Sequence, residues 1–322
     1  GHHPHLGVQP GHHQHGILSF LENLLSTPNC PVDHRIERYV VIGNPIAHSM
    51  SPAIHADFAA QLELPLQYSR VLAPLGGFSQ TVRALKAAGV RGANVTVPFK
   101  LEAFGLADVF SPAAQFAQAA NTLKFQADGS IHADNTDGGG LCRDLSRQLQ
   151  TLGLQLEQCQ VLMIGAGGAA SGCVAAFHAA GVHHLTVLNR TVGKARELAE
   201  RAEAIDLPAA GGSLDTPPSH FEIPGAPVVI VNASSSSLNG DVPLIHPAWF
   251  ERAVLVYDMM YAAKPTPFMQ ALESTGLPCS DGLGMLVFQA QLAFEVWTGQ
   301  SPNALETLTK VRQLVLAKAA VQ

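Results

Sequence analysis

Val161-Leu162-Met163-Ile164-Gly165-Ala166-Gly167-Gly168-Ala169-Ala170 is the stretch from which the second half of this chain can be read. Four apolar residues bounded by glycine read as a buried strand, and the small residues after them lead into a helix-period run. Glycine and alanine let a backbone come close to a pyrophosphate. A helix beginning there offers the anion unpaired N–H groups and the positive end of its dipole. GAGGAA departs from the commoner GxGxxG spacing, so the strand, loop and helix context carries the reading more than the glycines do. Gly165, Ala166, Gly167, Gly168 and Ala169 are expected to hold a dinucleotide.

The next apolar run, 184–188, ends in Asn189-Arg190-Thr191, with Lys194 one turn later. NAD sites usually place an acidic residue roughly 20 positions beyond the glycines to bind the ribose 2′-hydroxyl. Here an amide, a guanidinium, a hydroxyl and an ammonium converge, which suits a 2′-phosphate, and no carboxylate repels it. NADP is the expected cofactor. With strands at 160–164 and 227–231 and a helix at 193–202, the segment makes one half of a Rossmann-like domain.

Upstream, a strand at 38–42 precedes a helix opened by Ser51-Pro52, with Ser51 as the expected cap and Pro52 at the first helical position. A strand at 67–72, a helix at 78–88 and a strand at 92–97 follow. Pro98 ends that strand and leaves Lys100 at or just beyond its carboxyl end, where open α/β sheets bind ligands. Asp137-Gly138-Gly139-Gly140 reads as a hinge before a helix at 141–152, and two apolar helices near 283–297 and 304–320 close the chain. Alternating strands and helices imply an α/β protein with parallel sheets. The expected layout is an extension (1–37), a substrate-binding domain (38–138), an NADP-binding domain (139–282) and C-terminal helices (283–322) returning to the substrate domain, with a cleft between the two domains.

With 322 residues, 47% hydrophobic and 14% charged, the chain can fill two cores. A net charge of −6 argues against a nucleic-acid surface. Cys30, Cys142, Cys159, Cys173 and Cys279 are scattered, with no CxxC pair, so neither a disulfide framework nor a zinc site is expected and a reducing cytoplasm is. No apolar run reaches the roughly 20 residues of a membrane span, and no signal peptide is evident. Small molecules and copies of the chain itself, as monomer or homodimer, are the expected partners. The first 16 residues hold six histidines between Gly, Pro and Gln, and read as a tag or processing remnant, with a short helix possible at 17–25.

Four further segments gather polar residues in Gly/Pro-rich contexts: Gly43-Asn44-Pro45-Ile46-Ala47-His48-Ser49-Met50-Ser51-Pro52, Asn94-Val95-Thr96-Val97-Pro98-Phe99-Lys100, Ala120-Asn121-Thr122 and Asn135-Thr136-Asp137-Gly138. With Tyr257-Asp258-Met259-Met260-Tyr261, Lys264-Pro265-Thr266-Pro267-Phe268 and Asp281-Gly282-Leu283-Gly284-Met285-Leu286-Val287-Phe288-Gln289-Ala290, they resemble the shikimate dehydrogenase family, in order from Tyr39 to Trp297. The resemblance implies reversible NADPH-dependent reduction of 3-dehydroshikimate to shikimate, on the route to chorismate and the aromatic amino acids. It implies that Ser49 and Ser51 hold the substrate carboxylate, helped by Tyr261, and that Asn94, Thr96, Asn121 and Gln289 bind ring hydroxyls. It makes Lys100 and Asp137 the catalytic pair. A buried lysine can take the hydroxyl proton as hydride leaves, and the Asp137 carboxylate can orient it or share in a relay. Asn232, Ala233, Ser234, Met259 and Gly282 are expected near the nicotinamide, and no metal is required. Met50 stands where the family commonly has lysine, one positive charge fewer beside the carboxylate site. A quinate or dual quinate/shikimate enzyme, a non-catalytic NADP sensor and an unrelated Rossmann oxidoreductase are the competing readings.

Overall fold

The computed structural model describes residues 35–221, 223–235 and 241–321. The histidine-rich start and the helix expected at 17–25 lie outside them. Among the described residues the chain divides into two compact units, Val109 and the residues before it with Ala120–Ala133, and Phe110–Ala119 with Asp134 and the residues after it.

The first unit opens with β1 (Glu37–Gly43), α1 (Ser51–Gln61), β2 (Leu66–Leu72), α2 (Phe78–Ala87), β3 (Gly92–Val95) and α3 (Lys100–Leu106). After β4 (Val109–Phe110) and α4 (Pro112–Ala117), β5 (Thr122–Phe125) and β6 (Ile131–Asp134) complete a six-stranded sheet of order β2-β1-β3-β5-β6-β4. β1 pairs in parallel with both β2 and β3, as alternating strands and helices predict, but β5 runs antiparallel to β3. The sheet is therefore mixed. Val40, Ile42, Ile54, Phe58, Val71, Phe78, Leu85, Phe99 and Leu123 are buried within it, Phe78 stacking on Phe99 at 5.1 Å. His55 shares this interior, fully buried, face to face with Tyr68 at 4.2 Å and edge-on to Phe58.

The second unit continues with α5 (Asp137–Thr151), β7 (Gln160–Ile164), α6 (Gly168–Ser171), α7 (Val174–Ala179), β8 (Leu185–Leu188), α8 (Val192–Ala204), β9 (Ala209–Gly212), β10 (Val228–Asn232), α9 (Ala248–Arg252), β11 (Ala253–Asp258), α10 (Pro267–Ala271), β12 (Cys279–Ser280), α11 (Leu283–Thr298) and α12 (Ala304–Ala320). Its strands pair in parallel throughout, in the order β12-β11-β10-β7-β8-β9. That is the complete doubly wound order, with the switch point between β7 and β10. The sequence reading recognised one half of it and passed over β9, β11 and β12. Successive residues of β7 feed opposite faces: Val161 and Met163 pack with Leu145, Phe177 and Val187, while Leu162 and Ile164 pack with Ile230, Trp249 and Phe268.

Two readings of local structure change. α5 begins at Asp137 and not at 141, so Gly138, Gly139 and Gly140 form a helical turn and no hinge. Packing explains the glycines. A Cβ on Gly138 would lie 2.7 Å from the Cys173 backbone, one on Gly139 would meet the Leu292 side chain at 2.6 Å, and one on Gly140 would lie 2.6 Å from the Gln289 nitrogen. α11 answers with Gly284, where a Cβ would lie 2.1 Å from Asp144 Oδ2. Residues 283–321 group with the nucleotide-fold unit, joined to it by this α5–α11 crossing. Replacing Gly140 by Ala is expected to cost about 1–3 kcal/mol, since backbone must move. A chemical denaturation curve of the variant checks this, and an unchanged midpoint would refute the packing account.

Burial holds the His55 pKa near 3, with the Asn94 side chain working the other way. Below its ordinary value of 6.5 the unfolded chain binds a proton here that the folded chain does not, so stability falls as pH drops from about 6.5 toward 3. The slope from this group approaches about 1.4 kcal/mol per pH unit. A His55→Phe variant is expected to flatten the stability-versus-pH curve over that window. An unaltered slope would show that His55 is not its source.

Candidate functional site

The predicted residues fall into two sets, one in each unit. In the first unit they collect where β1 and β3 end and the antiparallel β5 begins. Asn94, on β3, is buried at 7% exposure and Asn121, just before β5, at 3%. The Asn94 amide nitrogen donates to the Asn121 carbonyl (3.2 Å) and to Thr122 Oγ1 (3.1 Å), and Thr122 donates to Asn121 Oδ1 (2.9 Å). Such a buried cluster keeps its shape because each unmade bond costs about 1–3 kcal/mol. Thr96 follows β3, its N–H bonded to Ile42 of β1 and its carbonyl accepting from Phe99 N–H.

Lys100 is the first residue of α3 and half-buried. The sequence reading put it beyond a strand; the strand stops at Val95, and Thr96–Phe99 form the turn into a helix. The Lys100 carbonyl accepts from Ala120 N–H at 2.9 Å, which ties this residue to the segment carrying Asn121. An ammonium at a helix start stands at the unfavourable end of the dipole.

Ser51 does not cap α1 as expected: Met50 holds the cap position, with no side-chain cap bond. Ser51 lies within α1 and is buried, and it is Ser49 Oγ that accepts a hydrogen bond from the Ser51 N–H, at 3.2 Å. Arg70 donates to the Ser49 carbonyl at 2.6 Å. This guanidinium, which the sequence reading missed, brings positive charge beside the segment that carries Met50.

In the second unit, Asp137 opens α5, the favourable end of a helix for a carboxylate. Its N–H donates to Asn135 Oδ1 at 3.2 Å, and Asn135 donates to the Ala119 carbonyl at 3.2 Å. Thr136 bonds the Gln289 carbonyl of α11 at 3.0 Å. Asp137 and Gln289 are thus joined through one residue, across the glycine-lined crossing of their helices. Tyr261 is half-buried, and burial first, then the Asp281 charge, raise its pKa, so its hydroxyl stays protonated.

The cofactor candidates occupy the carboxyl ends of β7, β8, β10 and β11. Gly165 has φ +106°, a conformation that favours glycine, and a Cβ there would make a tight 3.1 Å approach to Ser234 N. Ala166 follows it half-buried and Ala169 is exposed in the first turn of α6. Gly167 and Gly168 are different: a Cβ on either meets nothing within 4 Å. The fold does not demand these two glycines, and bare backbone facing open space is what a pyrophosphate needs. Arg190, Thr191 and Lys194 are exposed, and Asn189 donates to the Thr191 carbonyl at 3.0 Å.

Asn232 Oδ1 accepts from Ser234 N–H and Oγ–H at 3.1 and 2.6 Å, and Ala233 N–H bonds Ile164. Met259 N–H bonds the Asn232 carbonyl, and Gly282 N–H the Met260 carbonyl. A Cβ on Gly282 would sit 2.0 Å from the Met259 carbonyl oxygen. At the centre is Asp258, which sequence reasoning quoted without a role. It is fully buried, accepts from Met260 N–H at 3.1 Å and Asn232 Nδ2 at 3.4 Å, and burial raises its pKa.

Residues 41–123 match the family model of the shikimate dehydrogenase substrate binding domain, 146–212 that of shikimate / quinate 5-dehydrogenase, and 282–312 that of the shikimate 5′-dehydrogenase C-terminal domain. The chain is 47% identical over 286 residues to a shikimate dehydrogenase (NADP(+)) of Cupriavidus necator, covering 88% of this chain and 95% of that protein. Among solved structures, an Ael1 enzyme from Pseudomonas putida superposes with a TM-score of 0.76 at 37% identity, covering 85% of this chain and 97% of that one. Shikimate 5-dehydrogenase from Thermus thermophilus, in complex with NADP(H) and shikimate, does so with a TM-score of 0.71 at 30% identity, covering 87% of this chain and all of that one. On the strength of these matches and of the two polar sets just described, the chain belongs to the shikimate dehydrogenase family.

Proposed function

We propose that the protein catalyses the reversible NADPH-dependent reduction of 3-dehydroshikimate to shikimate, in the cytoplasm and as a monomer or homodimer. The observation that carries this reading is the buried Asn94–Thr122–Asn121 cluster hydrogen-bonded beside the segment that holds Lys100. Several neutral amide and hydroxyl groups, buried beside a segment that carries one lysine, suit a polyhydroxylated ring with one reacting alcohol. An analogue lacking a hydroxyl would leave a buried partner unmatched, the strongest discrimination a site of this kind offers.

Asn94, Thr96, Asn121 and Gln289 bind the ring hydroxyls, and Ser49, Ser51 and Tyr261 bind the carboxylate. Arg70 supplies a cation beside Ser49, next to the segment that carries Met50. Lys100 gives a proton to the carbonyl oxygen in reduction and takes it back in oxidation. Asp137 orients the ammonium and accepts from the same hydroxyl, a pairing in which two groups share one proton path.

NADP fits the second unit on an observation of its own: Gly167 and Gly168 keep open a space that packing does not require of them. The Gly165–Ala169 loop would hold the pyrophosphate, Asn189, Arg190, Thr191 and Lys194 the 2′-phosphate, and Asn232, Ala233, Ser234, Met259 and Gly282 the nicotinamide end. The bound cofactor supplies the hydride. The chain contributes position, through the rigid Asn232–Asp258–Met260 knot.

Steady-state rates of nicotinamide reduction with shikimate and with quinate, each paired with NADP and with NAD, test the reading. The expected result is turnover chiefly with shikimate and NADP, and quinate activity of equal efficiency would reassign the substrate. Lys100→Ala is expected to lower kcat by about 10²–10⁴ with the fold intact by circular dichroism, and Asp137→Asn by a smaller factor. Arg190→Ala should reduce kcat/KM for NADP by roughly 10- to 100-fold while leaving NAD almost untouched, since charge-assisted bonds to a phosphate are lost. Equal losses with both cofactors would place Arg190 outside the 2′-phosphate pocket.

A further inference from the structure

Tyr68 lies on β2, half-buried, and its hydroxyl is 2.7 Å from Asn94 Oδ1. The Asn94 NH2 is already committed to two acceptors, the Asn121 carbonyl and Thr122 Oγ1. An amide held so can only receive at its oxygen, which makes Tyr68 the donor. Burial pushes the phenol pKa well above its ordinary range, so the proton needed for that bond is always present. The ring is fixed as well, stacked within 5° of parallel on His55, whose own burial keeps it uncharged.

We propose that Tyr68 is a positioning residue that holds the Asn94 carboxamide from its oxygen side, completing the hold that the Asn121 carbonyl and Thr122 exert on its nitrogen, and so keeps in place the group that receives a ring hydroxyl. Held this way, Asn94 turns an acceptor lone pair toward the ligand, so the hydroxyl it meets must donate. Without the Tyr68 proton the carboxamide is held only from its nitrogen side, and its oxygen is free to swing away from the hydroxyl it receives. The inference rests on the assignment of Asn94 to the substrate made above.

Tyr68→Phe keeps the ring and its stacking on His55 and removes only the hydroxyl. The expected effect is a KM for shikimate raised about three- to tenfold, as for one neutral hydrogen bond, with kcat within about twofold and the KM for NADP unchanged. Asn94→Ala alone should raise the shikimate KM, and the double variant should be no worse than Asn94→Ala, because Tyr68 acts through that amide. Additive losses in the double variant would overturn the inference. A KM that rises in Asn94→Ala but not in Tyr68→Phe would sink it and leave the substrate assignment standing. No rise in either would remove Asn94 from the site and the inference with it. A lowered melting temperature with equal rises in KM for shikimate and NADP would make Tyr68 a packing residue only.

Discussion

Asp144 is the carboxylate on which the second unit hangs. It is 1% exposed, on the face of α5 that packs against α11. Its Oδ1 accepts from Arg147 Nε and Nη2 at 2.9 and 2.6 Å, and its Oδ2 accepts from the Tyr257 hydroxyl at 2.7 Å and Gln148 at 3.3 Å. Tyr257, from β11, in turn accepts from Met285 N–H in the first turn of α11, at 3.0 Å. One carboxylate thereby joins a central strand and the two helices that cross beside it. A buried charge costs several kcal/mol unless its lone pairs are filled, and here they are. The satisfaction depends on Gly284, whose missing side chain is the room Asp144 occupies.

The same crossing fixes functional candidates. Gly140 lets the α5 backbone approach Gln289, and Thr136 closes the distance with a hydrogen bond, so Asp137 and Gln289 inherit their placement from a packing constraint several residues away. At the far end of α11, Arg143 reaches Gln291 and Glu295. At the near end, Arg312 of α12 grips Asp281 with two bonds, at 2.8 and 2.6 Å, and Asp281 caps Leu283 N–H beside Gly282. Polar anchors at both ends and glycine contact in the middle leave α11 little freedom to slide. That rigidity serves a reaction in which geometry, more than bond-making by the protein, sets the rate.

The nucleotide fold was legible because its signals are local: an apolar run, a glycine turn and the residues at the end of the next strand lie within thirty or so positions of one another. What stayed hidden depends on distant contacts. Ala209–Gly212 carries no strand signal of its own, yet it pairs with β8, and a Cβ on Gly211 would clash with Ala195 at 2.5 Å, so the glycine permits the helix above it to settle. The Gly138–Gly140 turn looked like a hinge because three glycines disfavour a helix by roughly 1 kcal/mol each in isolation. Only the partners on α7 and α11 show that close packing outweighs that penalty.

Tyr68 illustrates the same limit at the site. Asn94 was singled out because the segment Asn94–Lys100 carries part of the family resemblance, whereas Tyr68 is one aromatic residue in a strand with no motif around it. The register supplies the missing link: Tyr68 stands opposite Tyr39 and Asn94 opposite Val41, alternate residues of β1 whose side chains share one face of the sheet. Two strand spacings, about 9–10 Å, separate the backbones, a span that a tyrosine can bridge and a serine or threonine cannot. The array so formed, His55, Tyr68, Asn94, Thr122 and Asn121, carries no formal charge, because burial holds the imidazole and the phenol neutral. A neutral hydrogen-bond array reads the direction of donors and acceptors in its ligand, where a charged one would read chiefly net charge, and hydroxyl-rich rings differ from one another in the former.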